Sequence, residues 1–442
     1  MCFFKVLSIA GKVKLYYNEY VFINAEMGIL SMDNRKEKII KETLFFTEYI
    51  YLFCFSILTI YAFLKTTTFP SPIVTEDGLY IYFNEFTSVI PFHMEYILIS
   101  IIVIRYVLLK ENRLRDIFLG IIIYRCADYA VKVNLNHNIL LFALLILGAK
   151  GIFFQKIMKL YTGIITLLLS VTVLTALCGL IENVSFGENG KLAFGIVYST
   201  DFAAHVFFLV LCIWYVRGDK VTLWEGAVVA ALAVLVYRFS IARCSTICLC
   251  LTSVLIFLRR WIQSRCRKKQ IEYQMHPLVA AFLSMSFVIA AAFSVIFTIL
   301  YSPKVTWMQK IDQVLSSRLS LGKKAVEISG FHLWGKYFRL RGHWAEGLET
   351  NKYFYLDSSY MQMAVIYGLV ISALIMIAFL LIGYHAYRQK QWVFLWILAL
   401  MSLHGIIEQR IWNLAYCPFI LALFAQFDTN EKVRTIRWKR KS

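Results

Sequence analysis

Charge is scarce in this chain: Asp, Glu, Lys and Arg make up 17% of its 442 residues, while 60% are hydrophobic. Mean hydropathy is +0.65. A soluble domain carries mixed surface residues in much larger supply, so that class is excluded. No secretory leader is expected either. Met1–Leu30 is weakly amphipathic, without a compact apolar core or a small-residue cleavage site, and reads as a cytoplasmic tail or interfacial helix. No disulfide framework is implied by the ten cysteines, most of which sit in apolar stretches. Cys244, Cys248 and Cys250 lack the His or second Cys pair of a metal site and read as small buried hydrophobes. A Gly-rich phosphate loop, HExxH and GxSxG are absent as well, so no cofactor or metal is expected. Any chemistry must come from scattered residues.

What the chain does have is apolar runs of about 18 residues or more, the signature of spanning helices. They fall near 44–64, 92–109, 115–131, 137–153, 157–180, 193–216, 222–238, 243–262, 277–300, 358–385, 391–408 and 412–427. The expected fold is all-α: a polytopic bundle of about twelve transmembrane helices. It divides into an N-terminal segment (1–43), nine spans (44–301), one long loop (302–357), three spans (358–427) and a basic tail (428–442).

Lys and Arg set the orientation, because positively charged loops stay cytoplasmic. With the N-terminus inside, the inner segments are 1–43, 110–115, 150–159, 217–220, 259–269, 386–390 and 428–442. They hold 29 of the 46 basic residues. Both termini are then cytoplasmic and the 302–357 loop lies outside. The net charge of +19 is explained by helix ends facing anionic lipid headgroups, and no nucleic-acid module is visible.

The outer face breaks the pattern. Pro303–Leu356 contains nine Lys and Arg, among them Arg318, Arg339 and Arg341, together with His332 and His343. Arg238 and Arg243 flank one outer turn, and Arg410 sits at another beside Glu408. Arginine near hydrocarbon costs about 2.5–3.5 kcal/mol on insertion scales, so such residues tend to be functional. Its planar fork suits phosphate oxygens. Snorkelling to lipid phosphates, or pairing with Glu408, is the structural alternative for each taken singly. Together they point to an anionic ligand at the outer surface.

Four segments carry a resemblance. The first is Leu192–Ala203, a small-residue and Gly stretch entering a span, and the second is Arg238–Arg243. The third runs from Asp357-Ser358 through nine residues to Gly368, and the fourth is Glu408-Gln409-Arg410 followed by Pro418-Phe419. In this order, with the large loop ahead of Asp357, the chain from about residue 190 onward resembles bacterial polysaccharide polymerases of the O-antigen polymerase (Wzy) type, in the O-antigen ligase superfamily. Two departures stand out: Thr200-Asp201 replaces a frequent Pro-Asn pair, and Asp357 stands where the ligases have His, which favours polymerase over ligase.

The resemblance implies a GT-C-like membrane glycosyltransferase in a bacterial cytoplasmic membrane. It would join lipid-linked oligosaccharide repeat units outside the membrane, with a flippase and a chain-length regulator as expected partners. The growing glycan would leave its polyprenyl diphosphate for a hydroxyl of the incoming unit, with no nucleotide or metal. Arg238, Arg243, Arg318, Arg339, Arg341 and Arg410 are the candidate diphosphate clamps. Candidate bases are Asp357, Glu408 and His343, in that order, each with a structural rival: a helix cap, a partner for Arg410, an ordinary loop histidine. Tyr360, one turn beyond Asp357, is a candidate for orienting sugar, with packing as its alternative. A ligase of the same superfamily and a non-enzymatic transporter or flippase are the competing readings.

Overall fold

The computed structural model describes residues 29–69, 81–108, 114–134, 138–186, 190–271, 273–337 and 355–427. Within these the protein is an all-α bundle, and its single sheet is a two-stranded hairpin, β1 (Ser185–Phe186) against β2 (Lys191–Leu192). Six helices are long and apolar enough to cross a membrane, and a seventh span arises if one bent pair counts as a unit. The chain is a multi-pass membrane protein.

In chain order the helices are α1 (Ile29–Leu64), α2 (Ile81–Leu108), α3 (Leu114–Asn134), α4 (Asn138–Gly148) and α5 (Phe154–Leu177). Next come α6 (Ser199–Arg217), α7 (Leu223–Ser240) and α8 (Arg243–Lys268). The bent pair is α9 (Pro277–Ser284) and α10 (Ser286–Leu300), which meet at 53°. The series closes with α11 (Thr306–Val314), α12 (Arg318–Ser329), α13 (Ser359–Gln362), α14 (Leu369–Arg388) and α15 (Trp392–Ile407).

Burial identifies the centre. The apolar window of α6 is 72% buried, against 28–33% for the other five long spans. Its sequence is apolar on every face, as a helix enclosed by neighbours requires. The outer helices show large apolar side chains such as Phe53, Leu174 and Val234 on their surfaces, which suits contact with lipid.

The basic loops gather at one end. The Gln155 amide donates to the Val216 carbonyl at 2.9 Å, Arg259 Nε donates to Asp219 at 3.0 Å, and Phe154 packs edge-on against Phe394 at 5.7 Å. Arg105, an arginine inside a span, is 3% exposed there and donates to the carbonyls of Lys150 and Leu44 and to the Thr47 hydroxyl. At the opposite end lie the start of α6, the α7–α8 turn, the end of α15 and the 302–337 segment.

Of the twelve expected spans, five (92–109, 115–131, 137–153, 391–408 and 412–427) are not among the described helices long and apolar enough to cross; the first two fall on α2 and α3. The segments read as 137–153 and 391–408 are the short helices α4 and α15, of 11 and 16 residues. Residues 412–427 do not form an α-helix but an irregular chain with one 3-10 turn, Phe419–Leu423. Protein walls it in: Tyr161 donates to the carbonyls of Leu414 and Ala415 at 3.2 and 3.0 Å, and Gln426 bridges to Phe153. Irregular backbone is tolerated at membrane depth only when protein satisfies it in this way.

The long loop is also more structured than its composition indicates. Asp312, 6% exposed, accepts from the backbone N–H of Leu319 and Ser320 and so caps α12. Residues 332–336 then lie across the break between α13 and α14. There Leu369 N–H donates to His332 O at 3.0 Å and Lys336 N–H to Ile366 O at 3.2 Å. Gly335 and Gly368 make this crossing at φ of 81° and 91°, backbone against backbone, with no room for a Cβ on either.

Candidate functional site

The site is built at the end opposite the basic loops, where three connections meet. α15 ends at Ile407, and Glu408 leaves it in extended conformation (φ −118°, ψ 144°). Gly405 has no side chain to obstruct Ile411, which folds back over it. The turn therefore delivers Glu408, Gln409 and Arg410 into the bundle rather than into solvent.

Arg410 pairs with Asp201 in the first turn of α6. The side chains are 13% and 8% exposed. The guanidinium lies 5.3 Å from the centre of the Tyr416 ring. Its Nε is buried and makes no hydrogen bond. A buried arginine with an unused donor is an exception to normal polar satisfaction and marks a place where a ligand acceptor would be stabilised.

Arg318, the first residue of α12, reaches the same turn. Its Nη1 is 2.6 Å from Asp357 Oδ2, and its Nε donates to the Ile407 carbonyl at 3.1 Å. Two guanidinium groups from distant parts of the chain thus flank Glu408, which is 6% exposed. The Ser359 hydroxyl holds the Glu408 backbone carbonyl at 2.6 Å. Burial pushes the Glu408 carboxyl up to about 7, with Arg410 opposing the rise and Asp357 adding to it. A carboxyl so placed can accept a proton near neutral pH.

Beside this cluster opens a cavity of about 530 Å³. It is lined by Lys65, Thr66 and Arg410, by polar side chains at 362, 409 and 413, and by apolar ones: Leu58 of α1, Phe142 and Ile146 of α4, Ile371 and Ile375 of α14. Two cations and a run of apolar side chains around one cavity match a lipid with an anionic head. Thr66 is backed by His205, whose Nε2 is 2.9 Å from the Thr66 hydroxyl and whose ring stacks on Tyr416 at 4.1 Å. His404 is enclosed likewise, 3.1 Å from the Ser245 hydroxyl and stacked on Phe207.

The sequence candidates therefore separate. Arg318, Arg410, Asp357 and Glu408 come together, and of these four Arg410 lines the cavity. Arg238 and Arg243 occupy the same end of the bundle, at the close of α7 and the start of α8, but both are exposed and neither lines the cavity. Arg339, Arg341 and His343 lie outside the described residues. Ser358 holds the N-cap position of α13, and Asp357, one residue before it, is ion-paired to Arg318. Tyr360 is 3% exposed and donates to the Ser402 carbonyl at 2.9 Å, so it packs and does not face the cavity. Asp201, His205 and Lys65 were not among the candidates. The charge at Asp201 inside an apolar run was the one available signal. Among the described residues no group of three His, Cys, Asp or Glu is placed to hold a metal ion.

No protein-family model matches this chain, and no curated protein or solved structure matches it.

Proposed function

We propose that this protein is a membrane glycosyltransferase that polymerises polyprenyl-diphosphate-linked oligosaccharide units, making a bacterial surface polysaccharide such as O-antigen or capsule. The observation that carries the reading is the convergence of Arg318 and Arg410 around the buried Glu408, beside a cavity that Arg410 lines together with Lys65 and many apolar side chains. Acting without a metal, such a site meets the three demands of the reaction. Arg410 and Lys65 face the charge that grows on the departing diphosphate. Glu408 takes the proton of the acceptor hydroxyl as its oxygen bonds to the anomeric carbon and the bond to the diphosphate breaks. The apolar wall holds the polyprenyl chain, so both substrates meet in a partly dry site.

In this reading the chain passes the membrane twelve times in a GT-C-like arrangement. α4, α15 and the irregular 412–427 segment serve as short or broken passes. The cluster of basic loops lies in the cytoplasm, together with both termini, and the site opens outside. The charge cluster of Arg318, Asp357, Glu408 and Arg410 sits at one end of the bundle. A transporter places its site near the midplane, between repeats, which favours the enzyme over the transporter. Asp357 in the position of the ligases' His favours polymerase over ligase. A flippase and a chain-length regulator are the proposed partners.

The test is deletion of the gene and complementation with variants. Arg410→Ala and Arg318→Ala should each abolish long-chain glycan and let single lipid-linked units accumulate, with the protein still in the membrane. Wild-type polymer length from both variants would remove the guanidinium pair from the reaction and defeat the proposal.

A further inference from the structure

Next to Arg410 the cavity changes character. Gln362 donates its amide N–H to Gln409 Oε1, and Gln409 in turn donates to the Tyr355 hydroxyl. All three side chains line the cavity, and they come from three different segments: α13, the 408–418 turn and the end of the long loop. Their mutual hydrogen bonds leave one further N–H on each amide, the Gln362 carbonyl oxygen and the Tyr355 O–H proton for another partner. None of these groups carries a charge. Tyr337, Tyr367 and Trp412 line the same cavity and add aromatic surface.

Neutral groups that both donate and accept, fixed to one another and flanked by aromatic rings, are suited to a hydroxyl-rich ligand. They would be a poor choice for a phosphate, which the adjacent arginine already serves. Resting on the donor-lipid reading above, we propose that Gln362, Gln409 and Tyr355 form a subsite that reads the first sugar of the donor, the one attached to the diphosphate. The mutual hydrogen bonds hold the two amides in register before the ligand arrives. A sugar lacking the matching hydroxyl or acetamido group leaves these partly buried dipoles unpaired, which is the physical basis of discrimination.

Binding to the full-length protein in lipid nanodiscs tests this. The probes are undecaprenyl diphosphate without sugar and the same lipid bearing one glucose, galactose, N-acetylglucosamine or N-acetylgalactosamine. At least one glycosylated lipid should bind about tenfold more tightly than the bare one. Gln409→Leu should bring that ratio to about one, and Tyr355→Phe, which deletes only a hydroxyl, should reduce it several-fold. Bare-lipid affinity should stay within about twofold throughout. If the wild type binds bare and glycosylated lipids equally, or if both variants keep the full preference, the subsite is overturned while the diphosphate site stands. Should Gln409→Leu not fold, Tyr355→Phe decides alone. Failure of every one of these lipids to bind defeats the polymerase reading itself, and the subsite with it.

Discussion

Glu408 illustrates how a single residue can take its properties from burial rather than from its neighbours' charges. Two arginines lie close, yet desolvation outweighs them and the carboxyl rises from 4.5 to about 7. Because the folded protein binds this proton more tightly than the unfolded chain, the associated stability is fully present below pH 4.5. It is lost as pH climbs through about 7. The shift corresponds to about 3 kcal/mol. Thermal unfolding should therefore show a midpoint that falls between pH 5 and pH 8, and Glu408→Gln should flatten that slope. Chain extension should run the opposite way, dropping below about pH 7 as the base becomes protonated. An extension profile unchanged by Glu408→Gln would exclude the residue as base.

The Arg410–Asp201 pair is also open to test at this scale. Arg410→Met leaves a buried carboxylate without a partner, a loss of about 3–5 kcal/mol. Adding Asp201→Asn should recover most of that stability, because no uncompensated charge then remains. It should not recover polymer. Stability by thermal unfolding and activity by glycan length would separate the two roles of Arg410, and parallel recovery of both would mean that its role is only structural.

Among the elements, the junction between α13 and α14 is the most constrained. The 332–336 strap lies directly on the backbone at 366–368, and the close approach requires glycine at 335 and 368. Gly335→Val should displace the strap. Trypsin should then cut the 302–337 segment several-fold faster, and Tyr337, which lines the cavity, should move away from its rim. Protease resistance equal to wild type would show that the strap tolerates the side chain. The 412–427 segment teaches a related lesson. Its apolar composition reads as a span, but Pro418 and the short stretch before it do not sustain a helix, and neighbouring helices supply the hydrogen bonds instead.

For the whole molecule, sidedness is the property that function depends on. If the basic end faces the cytoplasm, then with the native cysteines, Cys178 and Cys266 among them, replaced by serine, a cysteine placed at Lys310 should react with a membrane-impermeant maleimide in intact spheroplasts. One placed at Lys268 should react only after the membrane is opened. The reverse pattern would put the site in the cytoplasm, where lipid-linked units do not await polymerisation.

Composition, hydropathy and charge bias alone determined that this is a helical multi-pass membrane protein, because lipid leaves few ways to satisfy a backbone and topology follows where Lys and Arg fall. Charge near hydrocarbon, costly enough to be conspicuous, singled out Arg410 and Glu408 along with Arg238 and Arg243. The basic composition of the long loop singled out Arg318, Arg339 and Arg341, and Asp357 came from the family resemblance. Only the tertiary structure decided which of these meet. It paired Arg410 with Asp201, 209 positions apart in the chain, gave Asp357 to Arg318, buried Tyr360, brought Lys65 to the cavity and set His205 behind Thr66. Contacts between distant segments depend on how helices pack, and packing is carried by shape complementarity that no local pattern of residues records.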